Sequence, residues 1–92
     1  MKSAYELAME RLERNAPTQK VTDAQKAELA EIDNLARARI AEKEVFLGDQ
    51  IVKARVAGEW NEVQALEKQL TSERRRIQED ADAKKDRVRN NT

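Results

Sequence analysis

The chain has 92 residues, of which 39% are apolar and 39% are charged, and its 18 basic residues balance its 18 acidic residues. A chain this short forms one domain and buries only a thin core. It contains no cysteine and no histidine, which excludes disulfides, structural zinc sites, thiol nucleophiles and imidazole acid–base chemistry.

The composition predicts an all-α protein. Ala, Glu, Lys, Arg and Leu are abundant, whereas there are only two glycines and one proline, as is typical of a long helix or coiled coil. The apolar runs are too short to span a membrane, and the N-terminal segment carries acids where a secretion signal has an apolar stretch. We therefore expect a soluble, cytoplasmic protein with no membrane association, and residues 1–92 as a single helical domain.

The first predicted element is a short helix over residues 3–15. Ser3 and Glu6 have the spacing of a capping box, which satisfies backbone donors at a helix N-terminus. Pro17 then lacks a backbone donor and biases the preceding residue away from helix. A second capping box, formed by Thr22 and Gln25, predicts that the next helix starts there.

A long helix is predicted over residues 22–57. Gly48 lies within it, but a glycine costs only about 1 kcal/mol relative to alanine and does not by itself end a helix, so a kink there stays open. Leu29, Ile40 and Ile51 are spaced by eleven residues. An eleven-residue repeat keeps an apolar stripe on one side of a nearly straight helix.

A third helix, over residues 60–89, repeats the same spacing. If the chain reverses between Ala57 and Trp60, residues at equal height have numbers that add to about 117, and the two apolar stripes face each other. We call these paired stripes the seam: Ala54 with Val63, Ile51 with Leu66, Leu47 with Leu70, Ile40 with Ile77, Ala36 with Ala81, and Leu29 with Val88. The fold predicted is a long antiparallel helical hairpin, coiled-coil-like, with a short N-terminal helix.

Charge supports an antiparallel arrangement of the two long helices. Each is acidic at its start and basic at its end, which suits the helix dipole and sets acid against base only between antiparallel neighbours. The register places Lys43 beside Arg74, with Glu44 and Glu73 close enough to neutralise them. An antiparallel dimer of unbroken helices, centred near Gly58, satisfies the same rule, so the turn decides between the two arrangements.

The runs SAYELAMERL, APTQKVTDAQKAELAEID and AGEWNEVQALEKQLTSER resemble short bacterial helical-hairpin proteins of uncharacterised activity. The resemblance implies the fold and no activity, and it assigns no functional residue.

No residue pattern indicates catalysis or metal binding. The serine and threonine hydroxyls have no histidine to activate them, and no lysine falls in the seam, where burial would lower its pKa. The acidic run EDADAKKD lacks the glycine and final glutamate of a calcium-binding loop. We expect no enzyme activity, no cofactor, no metal and no small-molecule substrate.

The basic end of the third helix suggests nucleic-acid binding as an alternative function. Its candidate residues are Arg74, Arg75, Arg76, Lys84, Lys85, Arg87 and Arg89. Acids interleave with them, and the spacing predicts helical ion pairs of Arg75 with Glu79, Arg76 with Asp80, and Lys84 with Asp80. With no aromatic residue to stack on bases, this segment favours a solvated structural helix.

Apolar residues outside the seam predict a contact surface. They are Val45, Phe46, Val52, Val56 and Trp60. The three valines share one side of the long helix with Ala38 and Ala41, opposite the seam. The first helix, folded back over the proline segment, is expected to bring Tyr5 near Ile32 and Leu12 near Ala24, but it is too short to cover the tip of the hairpin. We therefore predict a protein-interaction or scaffold module that forms a homo-oligomer, a dimer, or binds a protein partner. A regulator that binds and blocks an enzyme is a third possibility, and scattered surface valines with a tryptophan capping the turn are the non-functional interpretation.

Overall fold

The computed structural model describes the backbone of residues 3–15 and 21–90, and the side chains of residues 3–11 and 21–90. The described residues form three helices, α1 (Ala4–Asn15), α2 (Asp23–Val56) and α3 (Trp60–Asn90). α2 and α3 pack against each other as a long antiparallel hairpin, and the molecule measures 66 × 30 × 17 Å. Each of the three helices begins and ends within one residue of its predicted bounds. No helix in these described ranges is long and apolar enough to cross a membrane.

The second predicted capping box starts α2. Thr22 Oγ1 accepts a hydrogen bond from the Gln25 backbone N–H at 3.1 Å, and Gln25 Oε1 accepts one from the Thr22 backbone N–H at 2.9 Å. Two of the donors that a helix start leaves without intrahelical partners are thereby satisfied. The Gln25 side-chain amide also donates to the Val88 carbonyl at 2.9 Å, so the start of α2 is tied to the end of α3.

The turn between α2 and α3 is a Schellman motif. Gly58 has φ +72°, the left-handed conformation that residues with a Cβ adopt only at a cost. Its N–H donates to the Arg55 carbonyl at 3.0 Å, and the Glu59 N–H donates to the Ala54 carbonyl at 2.9 Å. These bonds close the end of α2, and the Glu59 carbonyl then accepts from the Val63 N–H at 3.0 Å to begin α3. The chain turns at Gly58, as predicted.

The core of the hairpin is the predicted seam, and every member of it is buried or half-buried. The best-packed section lies next to the turn, where Leu47, Ile51 and Ala54 of α2 cluster with Val63 and Leu66 of α3. Leu47 is the most enclosed side chain there, with 2% of its surface exposed. Apolar burial of this kind is the main stabilising contribution available to a two-helix structure.

Ion pairs across the seam confirm the register. Lys43 Nζ lies 3.9 Å from Glu73 Oε2, and Arg74 Nη2 lies 3.0 Å from Glu44 Oε1, so the two adjacent bases are neutralised by the acids predicted to reach them. Nearer the open end, Lys85 Nζ lies 2.9 Å from the Asp33 carboxylate.

α2 is continuous through Gly48, so the possible interruption at this residue does not end the helix. Its 34 residues give a length of about 51 Å at 1.5 Å per residue. A Cβ built on Gly48 meets no atom within 4 Å, so no neighbouring group in the hairpin requires a glycine there.

The predicted packing of the first helix on the hairpin is wrong. Within the described residues, α1 contacts neither α2 nor α3, and Tyr5 leaves 73% of its side chain exposed instead of covering Ile32. The predicted contact between Leu12 and Ala24 lies outside the described side chains, as Pro17 lies outside the described backbone. Helical periodicity gives α1 an apolar side, but it carries no information on whether the chain returns over the preceding turn.

Candidate interaction surface on the second helix

α2 carries a second apolar stripe on the side that faces away from α3. Val45 lies nine residues from both Ala36 and Ala54, and Val56 lies nine residues from Leu47. Nine residues are two and a half helical turns, so each valine points away from a buried seam residue. We call this stripe the outer face of α2: Ala27, Ala30, Ala38, Ala41, Val45, Val52 and Val56.

The whole outer face is exposed. Val45 leaves 75%, Val52 57% and Val56 85% of the side chain accessible to solvent, and the four alanines are exposed as well. The sequence predicted that the valines share this side of α2 with Ala38 and Ala41, whereas Ala27 and Ala30 were not predicted. The signal for them was the eleven-residue spacing itself, since Ala27 precedes Ala38 and Ala30 precedes Ala41 by eleven.

Phe46 borders the outer face on one side. It is 62% exposed and lies one residue after Val45, which places it about 100° around the helix. Leu35, eleven residues earlier, lies on the same side and is also exposed. The two side chains therefore extend the apolar surface around this edge of α2.

The structure does not bring Trp60 to the same surface. Trp60 lies seven residues, two helical turns, before Glu67 and so shares its side of α3. Glu67 Oε1 lies 2.8 Å from Arg55 Nη2, and Arg55 lies nine residues from Phe46, on the opposite side of α2. Trp60 and Phe46 are therefore on opposite flanks of the hairpin. With 63% of its side chain exposed, Trp60 does not form a buried cap on the turn.

Four of the seven candidate basic residues of α3 pair with carboxylates. Arg74 pairs with Glu44, Lys84 with Asp80, Lys85 with Asp33 and Asp82, and Arg89 with Asp86. Within the part of the chain that the structure describes, Arg75, Arg76 and Arg87 have no carboxylate within 4.0 Å. Of the three ion pairs predicted along this helix, only that of Lys84 with Asp80 forms, at 3.1 Å.

A shallow cleft of about 40 Å³ lies beside the seam where two small residues, Ala36 and Ala81, face each other. Ile32, Leu35 and Ile77 line its apolar wall, and three charged side chains, Arg39, Asp80 and Lys84, complete its lining. A space this small holds at most about three water molecules. It is not a site for an organic substrate, because ligand pockets are about tenfold larger.

The described side chains include no buried polar or charged residue and no group of three or more acids that could hold a metal ion. The described surface of the hairpin presents apolar side chains on the outer face of α2 and charged side chains around it. Comparison with family models, curated proteins and solved structures found no match to this chain.

Proposed function

We propose that the protein is an interaction module that self-associates through the outer face of α2 and has no catalytic activity. The observation that carries this proposal is that α2 has apolar residues on two opposite sides, whereas α3 covers only one of them. A helix that is apolar on both sides is typical of a position between two other elements. The outer face, with Val45, Val52 and Val56, therefore supports a second packing partner.

The thin core of the hairpin also favours association. Among the described side chains, seven small or medium aliphatic residues are buried, and single cores of this size contribute only a few kcal/mol of net stability. Packing the outer faces of two copies together buries a second apolar layer and produces a four-helix arrangement. Exposed apolar side chains gathered on one side of a helix are typical of a protein contact.

The first test is the mass of the protein in solution. Light scattering at micromolar concentration should give twice the chain mass of 10.6 kDa. Val52→Glu places a charge in the centre of the outer face and Phe46→Glu places one at its edge, so both should shift the mass toward the monomer and lower the thermal midpoint.

A matched control is available on α3. Ser72 is exposed and lies nine residues from the buried Val63, so Ser72→Glu adds the same charge on the side of α3 away from α2 and should leave mass and midpoint unchanged. A monomeric wild-type protein whose thermal midpoint is unaffected by Phe46→Glu would refute the proposal.

The alternative is a weak contact with nucleic acid through the arginines that lack a carboxylate partner, Arg75, Arg76 and Arg87. Arg76 and Arg87 are eleven residues apart and share one side of α3, which supports a short row of phosphate contacts. Such contacts weaken steeply as salt rises, because bound counterions are released. A fluorescence titration with duplex DNA from low to physiological salt tests this alternative, and absence of binding at low salt eliminates it.

A further inference from the structure

Four charged residues border the outer face of α2, and they repeat with the same eleven-residue period as the face itself. Lys26 and Arg37 lie on one edge, and Glu31 and Glu42 lie on the other. Arg37 shares its side with Arg55, eighteen residues later, while Glu42 lies one turn before Phe46. In the described residues none of the four has a carboxylate or base within 4.0 Å. They are charges without a partner in the hairpin.

Apolar residues follow the charges on both edges at the same interval. Ala30 and Ala41 come four residues after the bases, whereas Leu35 and Phe46 come four residues after the acids. Each position on the acidic edge therefore lies five residues after its counterpart on the basic edge. This holds for Lys26 and Glu31, Ala30 and Leu35, Arg37 and Glu42, and Ala41 and Phe46.

The five-residue offset between the two edges matches the pairing of edge residues in two parallel helices. In a parallel pair related by a two-fold axis, the left edge of one helix lies against the right edge of the other, and residues about five positions apart meet across the contact. A second copy in this orientation places base against acid at two levels.

An antiparallel copy does not match these edges. There each edge meets its own equivalent, so the edge with Glu31 and Glu42 would face itself and the edge with Lys26 and Arg37 would do the same. Lys53 also lies on the acidic edge, eleven residues after Glu42, but its charge is already paired with Asp49. Opposite charges across helix edges are what specify orientation in coiled coils. The end-to-end charge order of α2 includes residues such as Glu44 and Arg55, whose charges are already paired with α3. The end-to-end charge order of α2 is therefore a weaker guide to the orientation of a second copy than the four unpaired edge residues are.

We infer that the partner of the outer face is a second copy whose α2 packs in parallel and in register, with Lys26 against Glu31 and Arg37 against Glu42 of the other copy. This inference rests on the proposed self-association and specifies its geometry. Asp49 lies eleven residues after Ala38, so a parallel copy brings it to its own equivalent, but each copy holds its Asp49 3.0 Å from Lys53. The two turns then lie at the same end of the dimer.

Cysteine cross-linking tests the orientation, because the chain has no cysteine of its own. In a parallel dimer each central residue of the outer face meets its own equivalent. Single variants Ala27→Cys and Val56→Cys should therefore each form a disulfide-linked dimer under mild oxidation. These positions are 29 residues apart, about 43 Å along the helix, so an antiparallel dimer cannot bring both to their equivalents. Ser72→Cys, on the outward side of α3, should not cross-link.

The outcomes separate the inference from the proposed function. A dimeric mass without same-residue cross-links, or with cross-links only in a mixture of Ala27→Cys and Val56→Cys, overturns the parallel geometry and leaves self-association standing. A monomeric mass overturns both. Cross-linking of Ser72→Cys to the same extent as the other two shows random collision and overturns the inference. Thermal unfolding of each reduced variant, expected to match the wild-type protein, checks that the substitutions preserve the hairpin.

Discussion

The two glycines make opposite demands on the backbone, so the same substitution should change stability in opposite directions. Gly48 lies inside α2 with open space around its missing Cβ, and alanine there should stabilise the helix by about 0.5–1 kcal/mol. Gly58 has φ +72°, where a Cβ costs roughly 1–2 kcal/mol. Gly48→Ala should therefore raise the free energy of unfolding and Gly58→Ala should lower it, with a difference of about 1.5–3 kcal/mol between them.

Urea unfolding followed by circular dichroism at 222 nm measures both changes. For a domain of this size each kcal/mol corresponds to roughly 4–8 °C in the melting midpoint, so thermal scans at one fixed protein concentration should give the same order. The comparison also tests the topology, because in a dimer of unbroken helices both glycines are interior helix positions. Stabilisation by Gly58→Ala would refute the turn and the register built on it.

Three further substitutions test the packing, the cap and the surface charges. Leu47→Ala should lower the free energy of unfolding in urea by about 2–3 kcal/mol, toward the lower end of the range for buried leucines, because a two-helix core can partly collapse around the cavity. Leu7→Ala, on the exposed side of α1, should change stability by less than about 0.5 kcal/mol. Equal effects of the two substitutions would contradict the assigned core. Thr22→Ala should lower stability by about 1 kcal/mol through loss of the capping box, and an unchanged urea midpoint would show that the cap contributes nothing. Glu44→Gln should cost at most about 1 kcal/mol, because its ion pair with Arg74 is half exposed, and a larger loss at moderate salt would mean that the pair is more enclosed than the structure shows.

Most of the hairpin could be predicted from sequence because one period governs both long helices. The spacing of Leu29, Ile40 and Ile51 fixes which side of α2 is apolar, and the matching stripe of α3 then fixes the register once Gly58 supplies the turn. Both signals are local or periodic, so they survive without knowledge of tertiary structure. The packing of α1 was not predictable in this way, because it depends on the path of a linker that has no periodic pattern.

The candidate surface was only partly predictable. Periodicity places Val45, Val52 and Val56 on one side of α2, but it treats each helix separately. Whether Phe46 on α2 and Trp60 on α3 lie on the same surface depends on which flank of the paired helices each one occupies. Ion pairs show the same limit. Helical spacing allows Arg75 to reach Glu79 and Arg76 to reach Asp80, yet neither pair forms among the described residues, because spacing alone does not fix the conformation of an exposed side chain.

The shortness of the turn at Gly58 has a consequence for how the hairpin forms. Seam partners next to the turn, Ala54 and Val63, are nine residues apart in the chain, whereas Leu29 and Val88 at the open end are 59 apart. Closing the longer loop unaided costs about 1.7 kcal/mol more in chain entropy. We expect contacts between the two helices to form first at the turn and then progressively toward the open end, because each contact shortens the loop that the next one must close. Amide hydrogen exchange should accordingly be slowest around Leu47 and Leu66 and become faster toward the open end.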